Sequence, residues 1–318
     1  METMLRLMLA ALLLLTSQAM ASDYPTRPIR LIVPYEPGGG GDFAARTIWQ
    51  ELSRQLGQPI VIENRGGANT IIGTRQLSRS QPDGYTIGLA NPSLITNPAL
   101  NATMPYRTPD DFTPIAHFIT YPFVLGVRHN LPVASVRDLL TLARQQPGGL
   151  TLGYSGPGSG VHLSAELLRM IGGIDVLLVP YNGTGPVSNA LAAGQVDMAF
   201  AGITQFQGLV EAGRIRLLAT TARTPTANGL PTIASQGLPD YEYLLWWGAI
   251  GPAGMPPAVV ETLNAALRRT IATPEVAARF AVLDGVLQVS SPDEFGAFLR
   301  TEMTKWEGVI RAAGIKAQ

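Results

Sequence analysis

Four short segments of the chain combine glycine with small polar side chains, and each follows an apolar run. They span residues 37–42, 91–93, 155–162 and 181–185. Glycine lets a main chain approach a ligand closely, while hydroxyl and amide groups supply neutral hydrogen-bond donors. This chemistry suits a small anion such as a carboxylate. The candidate binding residues are Tyr35, Gly38, Gly39, Gly40, Asp42, Asn91, Ser93, Ser155, Gly158, Ser159, His162, Tyr181, Gly183, Thr184 and, after a further apolar run, Gly202.

The four segments contain no arginine and no lysine. A carboxylate bound there would be held by amides, hydroxyls and the positive ends of helix dipoles instead of a salt bridge. Gly39→Val should then weaken binding at least about tenfold, because a branched side chain would occupy the ligand's place. Ser159→Ala should cost only about 0.5–1.5 kcal/mol, the value of one neutral hydrogen bond. For any single segment, a tight turn with a helix cap explains the residues equally well.

The sequence offers no arrangement typical of an enzyme or a metal centre. The three histidines lack metal-ligand spacing, and the chain has no cysteine. Pro157 disrupts the glycine pattern that a nucleophilic serine would need around Ser155 or Ser159. We therefore predict no catalytic residue, no metal and no cofactor, and we expect a protein that is not an enzyme.

One motif favours a different function. Residues 39–44 match the G-x-G-x-x-A form, and Glu63 follows at about the distance expected of a ribose-binding acid. This pattern would indicate a nicotinamide-dependent oxidoreductase. Against it, Pro34 and Pro37 interrupt the direct turn from strand to glycine, and an anion-binding loop explains the same residues. The oxidoreductase stays an alternative.

The elements that must position these segments alternate between strand and helix. The first unit has predicted strands at 29–33, 59–63 and 85–90 and predicted helices at 44–56 and 71–79. The second unit has predicted strands at 125–127, 150–154, 176–180, 196–201 and 216–220, and predicted helices at 136–145, 163–171 and 187–193. This alternation predicts two α/β units, each with a parallel, doubly wound sheet. Ligands of such sheets lie beyond the carboxyl ends of the strands.

The last part of the chain is predicted to return to the first unit. A strand-like run at 246–250 precedes three helices that begin near Pro257, Pro274 and Pro292, because proline suits the first helical turn. Too few strands remain for a third domain. We therefore predict a discontinuous lobe 1 and a continuous lobe 2 joined by a hinge. The predicted bounds are 22–122 plus 248–318 for lobe 1, 123–247 for lobe 2, and 122–127 and 243–251 for the two hinge crossings.

The first residues have the three-part form of a secretory signal. Arg6 precedes an apolar run at 7–15, and Ala19-Met20-Ala21 suits cleavage after Ala21. The run is shorter than the roughly 20 apolar residues that a membrane-spanning helix needs. We predict a signal peptide at 1–21 and a mature protein exported to the periplasm.

The charge of the chain is balanced, with 23 Lys+Arg against 23 Asp+Glu. Nucleic acids and anionic membranes both select for basic surfaces. We therefore expect no nucleic-acid partner. We also expect the protein to be a monomer.

Many short motifs along the mature chain resemble those of one family. They include Val33-Pro34-Tyr35, Pro37-Gly38-Gly39 with Asp42, Val61-Ile62-Glu63-Asn64-Arg65, Pro82-Asp83-Gly84-Tyr85, Val179-Pro180-Tyr181, Gly194-Gln195-Val196-Asp197 and Gly251-Pro252-Ala253-Gly254. In this order the motifs resemble the Bug-type solute receptors of tripartite tricarboxylate transporters. The resemblance covers nearly the whole mature chain.

The resemblance implies an α/β periplasmic-binding-protein-like fold of type II, with two doubly wound lobes, a hinge and a ligand cleft between the lobes. It also implies that a small carboxylate, such as a dicarboxylate, an aromatic acid or a related organic acid, is held by backbone amides and ordered waters. Such a receptor delivers its ligand to the membrane permease components of its transporter. The same fold serves receptors that sense a ligand for a signalling partner, and the sequence leaves that alternative open.

The family's binding loops match this sequence at the glycine-rich segments. The Pro-Gly-Gly loop matches at Gly38, Gly39, Gly40 and Asp42, and the Ser-Gly and Tyr-x-Gly loops match at Ser155, Gly158, Ser159, Tyr181, Gly183 and Thr184. Glu36 and Asn182 depart from the family pattern, since a small or apolar residue and a basic residue are frequent at these positions. Both departures make the pocket less cationic and argue against a plain tricarboxylate ligand.

Overall fold

The computed structural model describes residues 24–38, 40–226 and 229–315. The predicted signal peptide at 1–21 and the predicted binding residue Gly39 lie outside the described residues. Among the residues that the structure describes, no helix is both long enough and apolar enough to cross a bilayer.

The described residues form eleven strands. They are β1 (Ile29–Val33), β2 (Ile60–Asn64), β3 (Thr86–Ala90), β4 (Phe112–Pro122), β5 (Val124–Arg128), β6 (Thr151–Tyr154), β7 (Leu177–Pro180), β8 (Met198–Ala201), β9 (Ile215–Thr220), β10 (Leu244–Pro252) and β11 (Val286–Leu287). One sheet has the order β11-β4-β10-β3-β1-β2, and the other has the order β7-β6-β8-β5-β9. The predicted mixture of two α/β units is therefore confirmed.

The described residues also form ten α-helices. They are α1 (Gly40–Leu56), α2 (Ile71–Ser78), α3 (Ser93–Leu100), α4 (Val136–Gln145), α5 (Gly160–Gly172), α6 (Thr184–Ala192), α7 (Ile203–Glu211), α8 (Pro257–Ile271), α9 (Pro274–Ala281) and α10 (Pro292–Ala312). The last three begin at the prolines that the sequence singled out, each in the first helical turn. Ser291 and Glu294 add a capping box to α10.

Each sheet has the predicted parallel part, but both sheets are mixed because they also contain antiparallel strands. Strands β1, β2 and β3 are parallel, but β10 runs antiparallel to both β3 and β4. In the second sheet β5 is antiparallel to β8 and β9. The antiparallel strands β5 and β10 are the first strands after the chain passes from one sheet to the other. A helical crossover within one sheet makes the next strand parallel, and no such crossover precedes β5 or β10. The sequence patterns did not predict β4, β11, α3 and α7.

The C-terminal helices pack on the first sheet, as the sequence predicted. Helix α8 packs against α1 and β4, and α10 packs against α3 and β4. Trp306 and Phe295 of α10 are buried in the hydrophobic core. Such burial of large apolar side chains is the main stabilising contribution of this segment. The exact lobe boundaries stay a prediction.

The chain passes between the sheets at two points that are hydrogen-bonded to each other. Phe123 alone separates β4 from β5, and residues 221–243 connect β9 to β10. Buried Thr221 links both points: its Oγ1 accepts from Phe123 N at 2.8 Å and donates to Tyr243 O at 2.7 Å. The two crossings therefore form one compact connection.

Candidate functional site

The predicted binding loops all start at the carboxyl end of a strand. They connect β1 to α1, β3 to α3, β6 to α5 and β7 to α6, and Gly202 lies between β8 and α7. Each loop therefore ends at a helix N-terminus, where free backbone amides and the positive dipole end favour an anion. The predicted placement of these loops at strand ends is confirmed.

The Asp42 side chain stabilises the first loop through hydrogen bonds. Its side chain is buried, and it accepts hydrogen bonds from Gly38 N at 3.0 Å, Arg46 Nε at 2.8 Å and Asn64 Nδ2 at 3.0 Å. Burial alone would raise the pKa of Asp42, but these hydrogen bonds outweigh it and hold the pKa below its usual value. The Gly38 amide is therefore already used. A phosphate of a dinucleotide could not take that amide without displacing Asp42.

Tyr35 faces an aromatic wall from β4 and β10. Its ring meets the Trp247 ring edge to face, with centroids 5.4 Å apart. Trp247 Nε1 in turn donates to the Tyr121 hydroxyl at 3.2 Å. A side chain at Gly41 would collide with the Tyr35 ring. Burial, followed by the nearby Tyr121, raises the pKa of Tyr35, so its phenol stays protonated.

The second loop forms a polar network that includes a residue the sequence reading missed. Asn91 Oδ1 accepts from Ser93 N at 2.7 Å, which makes Asn91 a turn-forming residue. The Ser93 hydroxyl donates to Asn69 Oδ1 at 3.2 Å. Asn69 also donates through Nδ2 to Asn97 Oδ1 at 2.8 Å. In the sequence, the only feature that could have pointed to Asn69 as a loop residue is the pair of glycines at 66 and 67.

The segment that presents Asn69 is held in an unusual backbone conformation. Ala68, Asn69 and Thr70 have φ values of +46°, +48° and +76°. L-residues other than asparagine and aspartate rarely occupy this region, and each such residue costs roughly 1–3 kcal/mol. Strain of this kind concentrates at functional sites, where the surrounding structure maintains it.

The β6–α5 loop is organised by Ser159 and His162. Ser159 caps α5, and its Oγ accepts from His162 N at 3.2 Å and from Ser155 Oγ at 3.1 Å. His162 Nδ1 accepts from Gly158 N at 3.0 Å, while its Nε2 lies 3.6 Å from Glu166 Oε1. Its ring stacks on Tyr154, with centroids 4.4 Å apart. His162 is thus buried and engaged at both nitrogens, so it shapes this loop.

The β7–α6 loop is more open. Gly183 precedes α6 with a φ of +102°, and Thr184 Oγ1 accepts from Gln205 Nε2 at 3.0 Å. Tyr181 N donates to Tyr154 O at 2.8 Å, which ties this loop to the end of β6. These residues lie beside the β6–α5 loop on the same edge of the second sheet.

The loops of the two sheets meet face to face. A Cβ added to Gly158 would lie 2.6 Å from Leu100 Cδ1 and 2.9 Å from Asn69 Nδ2, both on the first-sheet side. A Cβ at Gly202 would lie 4.0 Å from the Tyr121 ring. Two regions that are distant in sequence are therefore in close contact. Their shared boundary is lined mainly by neutral polar groups and aromatic rings.

A separate surface groove of about 620 Å³ contains none of the predicted binding residues. Arg27, Arg30 and Arg79 contribute to its lining. However, Arg27 lies 3.0 Å from Asp83, and Arg30 lies 3.5 Å from Glu63. Carboxylates therefore offset the charges of two of these three arginines. Within the described ranges, no cluster of three or more metal-ligating side chains occurs.

The model of the family described as "Tripartite tricarboxylate transporter family receptor" matches residues 44–315. The chain belongs to this receptor family. The receptor is 31% identical to Protein BugT of Bordetella pertussis over 300 residues, which cover 93% of this chain and 92% of BugT. The Bug-type resemblance seen in the sequence is thereby confirmed.

Two solved structures are similar to the receptor over most of its length. An R. palustris protein with adipate has a TM-score of 0.84 and 35% identity, covering 92% of this chain and 99% of that one. MatC from Rhodopseudomonas palustris with bound malate has a TM-score of 0.80 and 30% identity, covering 90% and 100%. The receptor therefore has the α/β fold of periplasmic solute-binding proteins.

Proposed function

We propose that this receptor captures a small carboxylate between its two sheets and delivers it to the membrane permease components of a tripartite tricarboxylate-type transporter. The observation that carries the proposal is the close approach of Gly158, in the β6–α5 loop, to Asn69, which is hydrogen-bonded to Ser93 on the first-sheet side. This meeting brings helix N-termini and neutral donors from both sheets to one place. The adipate and malate bound by its structural relatives support the carboxylate class.

The proposed ligand is a dicarboxylate, an aromatic acid or a related organic acid. The described parts of the four loops contain no arginine or lysine, and Arg46, one turn further along α1, is paired with Asp42 at 2.8 Å. A highly charged tricarboxylate would lack the compensating cations that it needs. One or two carboxylates can be satisfied by amides and hydroxyls at helix N-termini.

We propose that binding works by closure of two lobes, 22–122 plus 248–318 and 123–247, about the hinge crossings at 122–127 and 243–251, which Thr221 joins through Phe123 and Tyr243. A ligand shifts such an equilibrium only by its preference for the closed arrangement. Contacts from both sheets to one ligand provide that preference. The compact connection through Thr221 concentrates the motion in few residues.

A thermal-shift screen tests the proposal directly. Mature protein beginning at Ser22 would be melted with adipate, malate, benzoate and citrate, and with adipamide and benzamide as neutral controls. A ligand at about 100 times its Kd should stabilise the protein by about 2.7 kcal/mol, or roughly 5–10 °C. Failure of every carboxylate to raise the melting temperature above its amide control would contradict the proposal.

The proposal includes release of the ligand chemically unchanged from the periplasmic receptor. After long incubation, mass spectrometry should recover the tightest ligand intact. Product forming in proportion to protein would show an enzyme, and reduction of a nicotinamide cofactor would restore the oxidoreductase alternative. Uptake of labelled ligand by cells that lack the receptor distinguishes transport from signalling. Uptake should fall in these cells only if the receptor serves a transporter.

A further inference from the structure

The hydroxyl of Tyr243 is buried without a hydrogen-bond partner. Tyr243 is fully buried immediately before β10, and its ring stacks on Phe123 with centroids 5.3 Å apart. The Trp306 ring meets it edge to face at 5.4 Å. Within the described part of the chain, its hydroxyl makes no hydrogen bond. An unpartnered buried phenol lowers stability, so its presence calls for a compensating role.

This hydroxyl points at the first turn of α5. A Cβ on Gly160, the first residue of that helix, would collide with the Tyr243 hydroxyl oxygen. In the same turn, the His162 amide is used by Ser159 Oγ and the Leu163 amide by Ser159 O. The two amides before them, at Gly160 and Val161, precede any intrahelical acceptor. A ligand oxygen at this turn would lie near the amides of Gly160 and Val161, the positive end of the α5 dipole and the Tyr243 hydroxyl.

Three further phenols and one carboxylate lie close enough to Tyr243 to interact with it electrostatically: Tyr35, Tyr121, Tyr241 and Glu302. Tyr121 lies on β4, and Tyr35 lies in the β1–α1 loop. The Tyr121 oxygen accepts from Trp247 Nε1, so its own proton remains available for donation. Burial raises the pKa of Tyr121 and of Tyr243. Tyr35, Tyr121 and Tyr243 therefore all remain protonated hydroxyl groups.

We propose that Tyr243 is a specificity-determining residue, whose hydroxyl donates to a ligand carboxylate oxygen seated at the first turn of α5. The inference rests on the proposed carboxylate-binding function. A hydroxyl donates a stronger, charge-assisted hydrogen bond to an anionic carboxylate oxygen than to the neutral carbonyl oxygen of an amide. Tyr243 would thus help the receptor to distinguish an acid from its primary amide without any cation.

The test compares Tyr243→Phe with Tyr241→Phe, a matched buried tyrosine. The Tyr241 hydroxyl donates to Ser164 O at 3.0 Å, so its loss breaks a bond that is already made. Without ligand, we expect Tyr243→Phe to melt at or above the parental temperature and Tyr241→Phe to melt below it. With calorimetry against adipate, malate and benzoate, Tyr243→Phe should bind about tenfold more weakly, or 1.4 kcal/mol, whereas Tyr241→Phe should bind like the parent.

The discrimination of acids from amides gives a second measurement. The ratio of benzoate to benzamide affinity, and of adipate to adipamide affinity, should fall about threefold in Tyr243→Phe, because a charge-assisted hydrogen bond is roughly twice as strong as a neutral one. Binding within threefold of the parent, with an unchanged ratio, would overturn the inference while leaving the proposed function in place. A lower melting temperature for ligand-free Tyr243→Phe would show that the hydroxyl is already bonded, and would also overturn it. Absence of carboxylate binding by the parent would instead refute the proposed function, and the inference with it.

Discussion

The substitution Gly158→Ala tests whether the two sets of loops must meet for the ligand to bind. Gly158 has a φ of +72°, in the left-handed region, and donates its amide to His162 Nδ1. An added methyl group would lie 2.6 Å from Leu100 Cδ1 and 2.9 Å from Asn69 Nδ2. Both neighbours belong to the opposite set of loops. The collision therefore exists only while the two sets are in contact.

The expected effect has two separable parts. Alanine in the left-handed region costs about 1–2 kcal/mol, and this strain is present whether or not the lobes are closed. Overpacking against Leu100 and Asn69 costs about 1–3 kcal/mol and opposes the closed arrangement alone. The first part lowers stability. The second lowers ligand affinity roughly five- to 150-fold, since 1.4 kcal/mol is a factor of ten.

Gly173→Ala is the matched control. Gly173 ends the same helix, α5, with a φ of +56°, and an added Cβ would find nothing within 4 Å. It should therefore show the strain without the collision. Thermal melts of ligand-free protein should place both variants a few degrees below the parent. Calorimetry should show weaker binding for Gly158→Ala only. Equal affinities for the parent and both variants would refute the assignment of this contact to the ligand-bound arrangement.

Three further predictions concern the capping serine, the buried carboxylate and the mature N-terminus. Ser159→Ala should lower calorimetric affinity by about 0.5–1.5 kcal/mol and stability by about 1 kcal/mol, whereas Ser135→Ala, which removes the cap of α4, should lower stability alone; equal losses of affinity would contradict this. Because the folded-state pKa of Asp42 is depressed, its contribution is present above the unfolded pKa of about 3.9 and is lost as pH falls through the folded value. Asp42→Asn should therefore melt below the parent at pH 7, and the difference in melting temperature should narrow below about pH 4. A difference in melting temperature that does not change with pH would show that the charge of Asp42 is not its cause. Mass spectrometry of the periplasmic form should find Ser22 at its N-terminus, and an intact Met1 would refute export.

Much of the architecture could be read from local patterns. The apolar run at 29–33 and the helices that begin at Pro257, Pro274 and Pro292 are short-range features, because periodicity and proline geometry act over a few neighbouring residues. The position of the binding loops followed from the same information, since loops after strands of an α/β sheet share one edge. The family resemblance was also a property of ordered local motifs.

The roles of individual side chains could not be read in this way. Asp42 and His162 were plausible ligand contacts in the sequence, and the structure shows in addition that both accept hydrogen bonds from main-chain amides of their loops. Such roles depend on distances of a few tenths of an ångström. No residue pattern specifies them, because the same carboxylate or imidazole can face a ligand or a backbone amide.

The sequence by itself determined the order of strands and helices, the glycine-rich loops at the strand ends and their neutral character. Only the tertiary structure decided the antiparallel return of β10, the contact of Gly158 with Asn69, and the placement of Tyr243 against Gly160. These features join residues far apart in the chain, as in the bond between Phe123 and Thr221, 98 positions away. Local propensities carry no information about such pairs, because their energies come from packing and hydrogen bonding that exist only when the sheets are assembled.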